Sequence, residues 1–395
     1  MVRRGVAIAI RLGLAAIVSL SSARGAAVAP LAVTQCGAAG DGKTNDTKAF
    51  EQAFASGAKD VYVPPGIYVL GPGMLTIPAD TYLHGAGAAS VMRLAEGTAE
   101  LFALRENVSL DRLAIDGGAG KRGEINDAVV LLRGANRARL DRLSFADCDR
   151  VCIGLDHADD VTIQGCDFRK VGAAVCITFS NRTKVLDNTV VEARIHGIQF
   201  WGNWRWETQA ISDVTITGNY LKNAGGGPIW GTGATRVVLA NNIVDGAKDV
   251  GLDLEWCSDS VITGNTARNC ANAGISLFFA CRRISITGNT VMNDAPIADP
   301  KASWWVRSGI WLTYPNTETF KGDAGHRDVT IVGNTIYCAP GERRAMWIGS
   351  GSENITIADN TLHGGEIWQG GAHKVDPPPP LHKVEQNTVL TAGDK

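Results

Sequence analysis

The sequence predicts an all-β solenoid, a single-stranded right-handed parallel β-helix of about eleven coils with an N-terminal capping helix. Three observations predict it. A turn phrase ending in asparagine recurs at a near-constant period, a second apolar phrase recurs once within each period, and Val, Ile and Thr dominate both.

The turn phrase is clearest in VTITGNYL (214–221), VVLANNIV (237–244), VITGNTA (261–267), ISITGNTV (284–291), VTIVGNTI (329–336) and ITIADNTL (355–362). Aligned on the turn, the column reads Leu113, Leu143, Cys166, Asn188, Asn219, Asn242, Asn265, Asn289, Asn334, Asn360 and Asn387, and most steps are 22 to 27 residues. A fixed period of this size signals repeats that cannot bury an apolar face alone and must stack. The leucine pattern of leucine-rich repeats is absent. Asparagine tolerates left-handed backbone better than other residues with a Cβ, so the column is expected to supply that conformation at a sharp turn. Stacked amides can also bond from coil to coil. Asn-x-Ser/Thr sequons at Asn107, Asn181 and Asn354 offer glycosylation as a rival explanation, but most column positions lack that spacing.

The second phrase, Gly-Ile-x-Leu, appears as VCIGLDH (151–157), VCITFS (175–180), HGIQFWG (196–202), PIWGTG (228–233), VGLDLEW (250–256), AGISLFF (273–279), SGIWLTY (308–314) and AMWIGS (345–350). With the two strands of the turn phrase it makes three short strands per coil, hence three parallel sheets.

Upstream, GAAGDGKTNDTKAFEQA (37–53) leads from a Gly-Asp-Gly turn through Thr44, Asn45, Asp46 and Thr47 into an amphipathic helix carrying Ala49, Phe50 and Ala53. Such a helix can plug the open end of the solenoid, and Asp41 and Asp46 are assigned to structure. This segment, with VYVPPGIYVL (61–70), resembles the N-terminal entry segment of the pectate-lyase-like superfamily, which includes polygalacturonase-related proteins and tailspike-like depolymerases. The resemblance covers nearly the whole chain after its first residues. It implies a substrate groove along the sheet of Gly-Ile-x-Leu strands. His196-Gly197 resembles the His-Gly element of polygalacturonases, but no paired-Asp segment precedes it and no Arg-x-Lys signature follows.

Three domain segments are expected: a signal peptide at 1–25, an N-terminal cap with the first coils at 26–106, and the repeats at 107–395, the last two forming one structural domain. Arg3, Arg4 and Arg11, the apolar run 12–20 and Ala23-Arg24-Gly25 read as a cleavable secretory signal, which implies export to the periplasm or outside the cell. That run is shorter than the roughly 20 residues a bilayer span needs. A formal charge of -2, from 38 basic and 40 acidic residues, argues against nucleic acid as a partner. Of the nine cysteines, Cys257 and Cys281 fall on neighbouring coils, as a disulfide or as buried thiols.

Function is sought where regularity fails. Three long excursions, 202–213, 292–307 and 315–328, each adjoin a Gly-Ile-x-Leu strand, and long loops on a rigid scaffold carry function. Alternation along the strands gives two outward columns. One reads Leu131, Gly154, Thr178, Gln199, Trp230, Asp253, Ser276, Trp311 and Trp347; the other reads Arg133, Asp156, Ser180, Trp201, Thr232, Glu255, Phe278, Thr313 and Gly349. Trp201, Trp230, Trp311 and Trp347, joined by loop residues Trp204, Trp206, Trp304 and Trp305, are expected to form an exposed aromatic row that binds sugar rings. A side cluster buried under the loops, or an oligomer interface, is the structural alternative.

Asp253 and Glu255 are the two acids at consecutive outward positions of one strand, about 6.6 Å apart at Cα. Two close carboxyls on an apolar floor push their proton affinities apart, giving the acid and the base or nucleophile of a glycosidase. Glu207 is a substitute for either member, and His196, Arg205 and Arg307 are further substrate contacts. Asp156 is expected to pair with Arg133, and His157 to serve the turn. The expected function is cleavage of a polysaccharide or oligosaccharide by a glycoside hydrolase that requires no cofactor. One alternative is a polysaccharide lyase acting on a uronate polymer, with Arg194, Arg205, Lys301 or Arg307 as charge partners and calcium held by Asp253 and Glu255. Another is a non-catalytic carbohydrate-binding or surface protein, monomeric or trimeric.

Overall fold

The computed structural model describes residues 29–118, 128–203, 210–292, 308–313, 325–338, 344–370 and 383–390. Three parallel sheets run the length of the molecule, with 16, 14 and 12 strands in the first, second and third sheet. One coil shows the order. The third-sheet strand Leu252–Glu255 is followed by the first-sheet strand Ser258–Thr263, the corner residue Asn265 and the second-sheet strand Thr266–Cys270. The chain then re-enters the third sheet at Ala273–Phe278.

Inward residues alternate with outward ones along the strands of this coil, so Leu252, Leu254, Ile262, Ala267, Ile275 and Leu277 fill the bore and are all but fully buried. Each such branched side chain contributes about 1.5–3 kcal/mol on leaving water. The helix Thr47–Ala55 closes the N-terminal end by burying Ala49, Phe50, Ala53 and Phe54, with Phe50 edge-on to Tyr68 at 5.7 Å. Asp46 is structural, although not as a side-chain cap. Its carboxylate accepts from the Ala39 and Gly40 amides at 2.7 and 3.2 Å and ties down the entry loop.

The asparagine column holds with one correction. Left-handed backbone belongs to the residue before each asparagine: Asp187, Gly218, Asn241, Gly264, Gly288, Gly333 and Asp359 have φ between 54° and 72°. The asparagines themselves turn inward. From Asn188 to Asn387 each amide nitrogen donates to the next amide oxygen at 2.8–3.0 Å. Burial explains the residue choice, because a buried amide needs both a donor and an acceptor partner and an identical neighbour supplies both.

Cys257 and Cys281 are separate buried thiols, whose sulfurs approach the carbonyls of Glu255 and Leu254 at 3.2 and 3.3 Å. Burial pushes the Cys257 thiol up to about 12. The signal segment 1–25 lies outside the described residues, and among those described no helix is long and apolar enough to cross a membrane.

Candidate active site

The third sheet carries the candidate site, and its register corrects the outward columns in one coil. Gly154 pairs with Cys176 and Asp156 with Thr178, so Cys176 and Thr178 replace Thr178 and Ser180. The segment 175–180 has no glycine to mark its place, and a slip of two keeps the same face. At the far end Trp368 joins the first column beside Trp347.

Trp230 and Thr232 are held outward by a local constraint. A Cβ on the intervening Gly231 would stand 2.0 Å from the Phe200 ring, so only glycine lets Phe200 fill the bore here. The next coil aligns Asp253 with Trp230 and Glu255 with Thr232.

Around the acid pair the face is largely withdrawn from water. Gln199, Thr232 and Ser276 are fully buried, Asp253 is 5% exposed and Glu255 8%. The Thr232 hydroxyl donates to the Asn203 carbonyl at 3.1 Å.

The tryptophan row is likewise mostly withdrawn from water. Trp311 and Trp347 are buried and stack on each other at 5.6 Å and 17°, with Phe278 edge-on to Trp311 at 5.0 Å. Their faces are spent on each other, so this half of the row is an aromatic cluster and not an exposed stacking platform. Trp201 and Trp230 are half-buried. Trp204, Arg205, Trp206, Glu207, Lys301, Trp304, Trp305 and Arg307 lie outside the described residues.

The two acids have distinct partners. The Ser276 hydroxyl donates to Asp253 Oδ1 at 2.6 Å, and the Trp230 indole donates to Glu255 Oε1 at 3.1 Å. Burial pushes Asp253 well above the usual carboxylate range and the Glu255 charge pushes the same way, with the Ser276 bond opposing. Burial also pushes Glu255 up to about 7 against the Trp230 bond. Two buried oxygens flanking Trp230, Gln199 Oε1 and Glu255 Oε2, have no partner. Buried oxygens of this kind are ordinarily met by water, an ion or a ligand.

His196 belongs to the same cluster. Its ring stacks on Trp230 at 5.2 Å and 14°, and Nδ1 donates to the Gly227 carbonyl at 3.0 Å. That bond sets the tautomer and leaves Nε2 as a lone pair. Burial holds the imidazole below its ordinary value, so it is neutral near pH 7.

Two expected structural roles hold. Arg133 pairs with Asp156 at 3.0 Å, and His157 sits at a left-handed turn with φ 52° and Nδ1 2.6 Å from Asp156. The His196–Trp230 stack was not legible in the sequence, because the ring precedes its strand and its direction depends on the turn before Gly197.

Comparison with known proteins agrees with the fold. A preneck appendage protein of Bacillus phage PZA is 33% identical over 147 residues, covering 35% of this chain and 16% of the phage protein. The chain thus matches less than a fifth of that relative's length. The A-module of the Azotobacter vinelandii mannuronan C-5 epimerase AlgE4 superposes with TM-score 0.74 at 15% identity, covering 90% of this chain and 99% of the module. A Yersinia enterocolitica family 28 exopolygalacturonase superposes with TM-score 0.62 at 16% identity, over 91% of this chain and 78% of the enzyme. At such identities the superpositions speak for the fold alone. The model of the right-handed beta helix region matches residues 105–205 and 206–320, more than half of the chain. The chain belongs to the right-handed β-helix family.

Proposed function

We propose that this protein is an exported glycoside hydrolase that cleaves a polysaccharide over the third sheet, with Asp253 and Glu255 as the reacting pair. One observation carries the reading. Two buried carboxyls, two residues apart on one strand, each have one oxygen held by a single donor, and Glu255 keeps Oε2 unmet. Mutual repulsion lets only one of them ionise near neutrality.

Burial and the Glu255 charge raise Asp253 more than burial raises Glu255, but the 2.6 Å bond from the Ser276 hydroxyl lies in the range of hydroxyl to carboxylate contacts, and on that geometry we assign the charge to Asp253. Glu255 then carries the proton. It gives that proton to the glycosidic oxygen as the bond to the sugar breaks, and Asp253 takes a proton from the attacking water. The epimerase and the polygalacturonase, which share the fold and are named for polysaccharides, make a polysaccharide the target we favour.

Elimination on a uronate polymer is the second reading, favoured by the neutral His196 with its open Nε2 as the base. Calcium fits the pair poorly. It takes six to eight oxygen ligands, and among the described residues no group of three His, Cys, Asp or Glu side chains accompanies these acids.

The test incubates the purified protein with neutral and acidic polysaccharides and records new reducing ends together with the ultraviolet absorbance of an unsaturated uronate. Hydrolysis gives reducing ends without the chromophore and elimination gives both. Binding with neither makes the protein a carbohydrate-binding module. Asp253→Asn and Glu255→Gln should each lower hydrolysis by about 10²–10⁴, and unchanged rates in both would remove the pair from the mechanism.

A further inference from the structure

Trp230 does more than line the groove. Its indole is held at one face and at its edge: His196 stacks on the face at 5.2 Å and 14°, while the indole N–H donates to Glu255 Oε1 at 3.1 Å. Gly231 fixes the strand beneath it, and the side chain aligns with Asp253 on the next coil. The two oxygens of Glu255 are therefore unequal. Oε1 is committed as an acceptor, whereas Oε2 is buried and meets nothing.

We propose that Trp230 is a positioning residue that holds Glu255 Oε1 as an acceptor, so that the exchangeable proton resides on Oε2 and is presented to the substrate from that atom. This rests on the reading of Asp253 and Glu255 as the reacting pair for its use in catalysis, but the hydrogen bond and its effect on Glu255 stand apart from turnover. An indole N–H donated to a carboxylate stabilises the charged form. Trp230 thus keeps Glu255 from becoming too weak an acid, against the burial that raises it.

The arrangement also accounts for the ring that is used. A phenyl side chain would preserve stacking on His196 and lose the donor. Trp230→Phe consequently separates a positioning role from a packing role.

The experiment follows the Glu255 carboxyl by carbon NMR in the full chain labelled at glutamate, with the signal assigned by its loss in Glu255→Gln. Trp230→Phe should raise the titration midpoint by roughly one unit, a tenfold change in proton affinity. Trp347→Phe, several coils away, should leave it unmoved. An unmoved midpoint in a folded Trp230→Phe protein, or an equal shift in Trp347→Phe, overturns the proposal.

Should Trp230→Phe fail to fold, the indole proton of Trp230 in the wild-type chain is the second readout. Its shift should titrate with the Glu255 midpoint and become independent of pH in Glu255→Gln; a pH-independent shift in the wild type overturns the proposal. Kinetics adds the functional arm: kcat against pH should move its basic limb upward by the same unit in Trp230→Phe. Absence of turnover in the wild-type protein would remove the hydrolase reading and leave the NMR outcomes to decide the role of Trp230.

Discussion

The buried asparagine corner and the acid-bearing face of the third sheet are both polar strips running along one solenoid, and they handle burial in opposite ways. At the corner every amide meets its neighbours: Asn265 donates to Leu239, Thr263 and Asn289 and accepts from the Asn242 side chain and backbone. On the third sheet the polar groups change from coil to coil, from Gln199 to Trp230 to Asp253 to Ser276, and the Gln199 Oε1 and Glu255 Oε2 oxygens go unmet. A periodic strip that satisfies itself stabilises the fold. An aperiodic strip with unmet oxygens costs stability.

The largest effect expected from this contrast is at the corner. Asn265→Ala removes the acceptor of the Asn242 amide and a donor to Asn289 in a fully buried row. Each buried group so stranded costs about 1–3 kcal/mol, and the total should be about 3 kcal/mol, read as a lowered denaturation midpoint in urea. A loss below about 1 kcal/mol would mean that the row is ornament to a fold held by its bore.

A site residue should behave in reverse. Burial raises the Glu255 carboxyl from its ordinary 4.5 to about 7. Between those values the folded chain holds a proton that the unfolded chain has released, so stability falls as pH rises through the window. Above pH 7 the whole cost is present. Glu255→Gln carries no charge and should be more stable than the wild type there by about 3 kcal/mol, with the advantage gone near pH 4. Paired denaturation curves at the two pH values check it, and a variant less stable than wild type at pH 8 would contradict the burial argument.

That inversion also explains what was legible in the sequence. The corner announces itself because one solution repeats in coil after coil, so Asn188, Asn219, Asn242, Asn265, Asn289, Asn334, Asn360 and Asn387 align without a structure. Its exact conformation did not, since the left-handed residue and the ladder residue are adjacent and both asparagine, Asn241 and Asn242, in one copy. Strand alternation brought Asp253 and Glu255 to one face, but it carries no information about what lies over that face. Outward positions were therefore read as exposed, whereas Trp311 and Trp347 are buried against each other. The register at Cys176 slipped for want of a glycine marker, and His196 was hidden because ring stacking is a property of turns.

A third strip, at the corner between the third and first sheets, gives the smallest effect. Its left-handed positions alternate in sign: Asp160, Arg182, Asp213, Arg236, Asp259 and Arg283. Each arginine reaches the aspartate of the preceding coil, at 2.6, 2.7 and 2.6 Å. Arg283 holds the Asp259 carboxyl down to about 2, yet the two side chains are 56% and 40% exposed, so solvent screens most of that interaction. Arg283→Asn and Asp259→Asn, chosen because asparagine tolerates the left-handed backbone, make a double-mutant cycle free of new strain. The coupling should be below about 1 kcal/mol and should shrink further in concentrated salt. This strip is as regular as the asparagine corner but lies in water, so the cycle separates regularity from burial. A coupling as large as the Asn265→Ala loss would show that repetition alone, without burial, is enough to hold neighbouring coils in register.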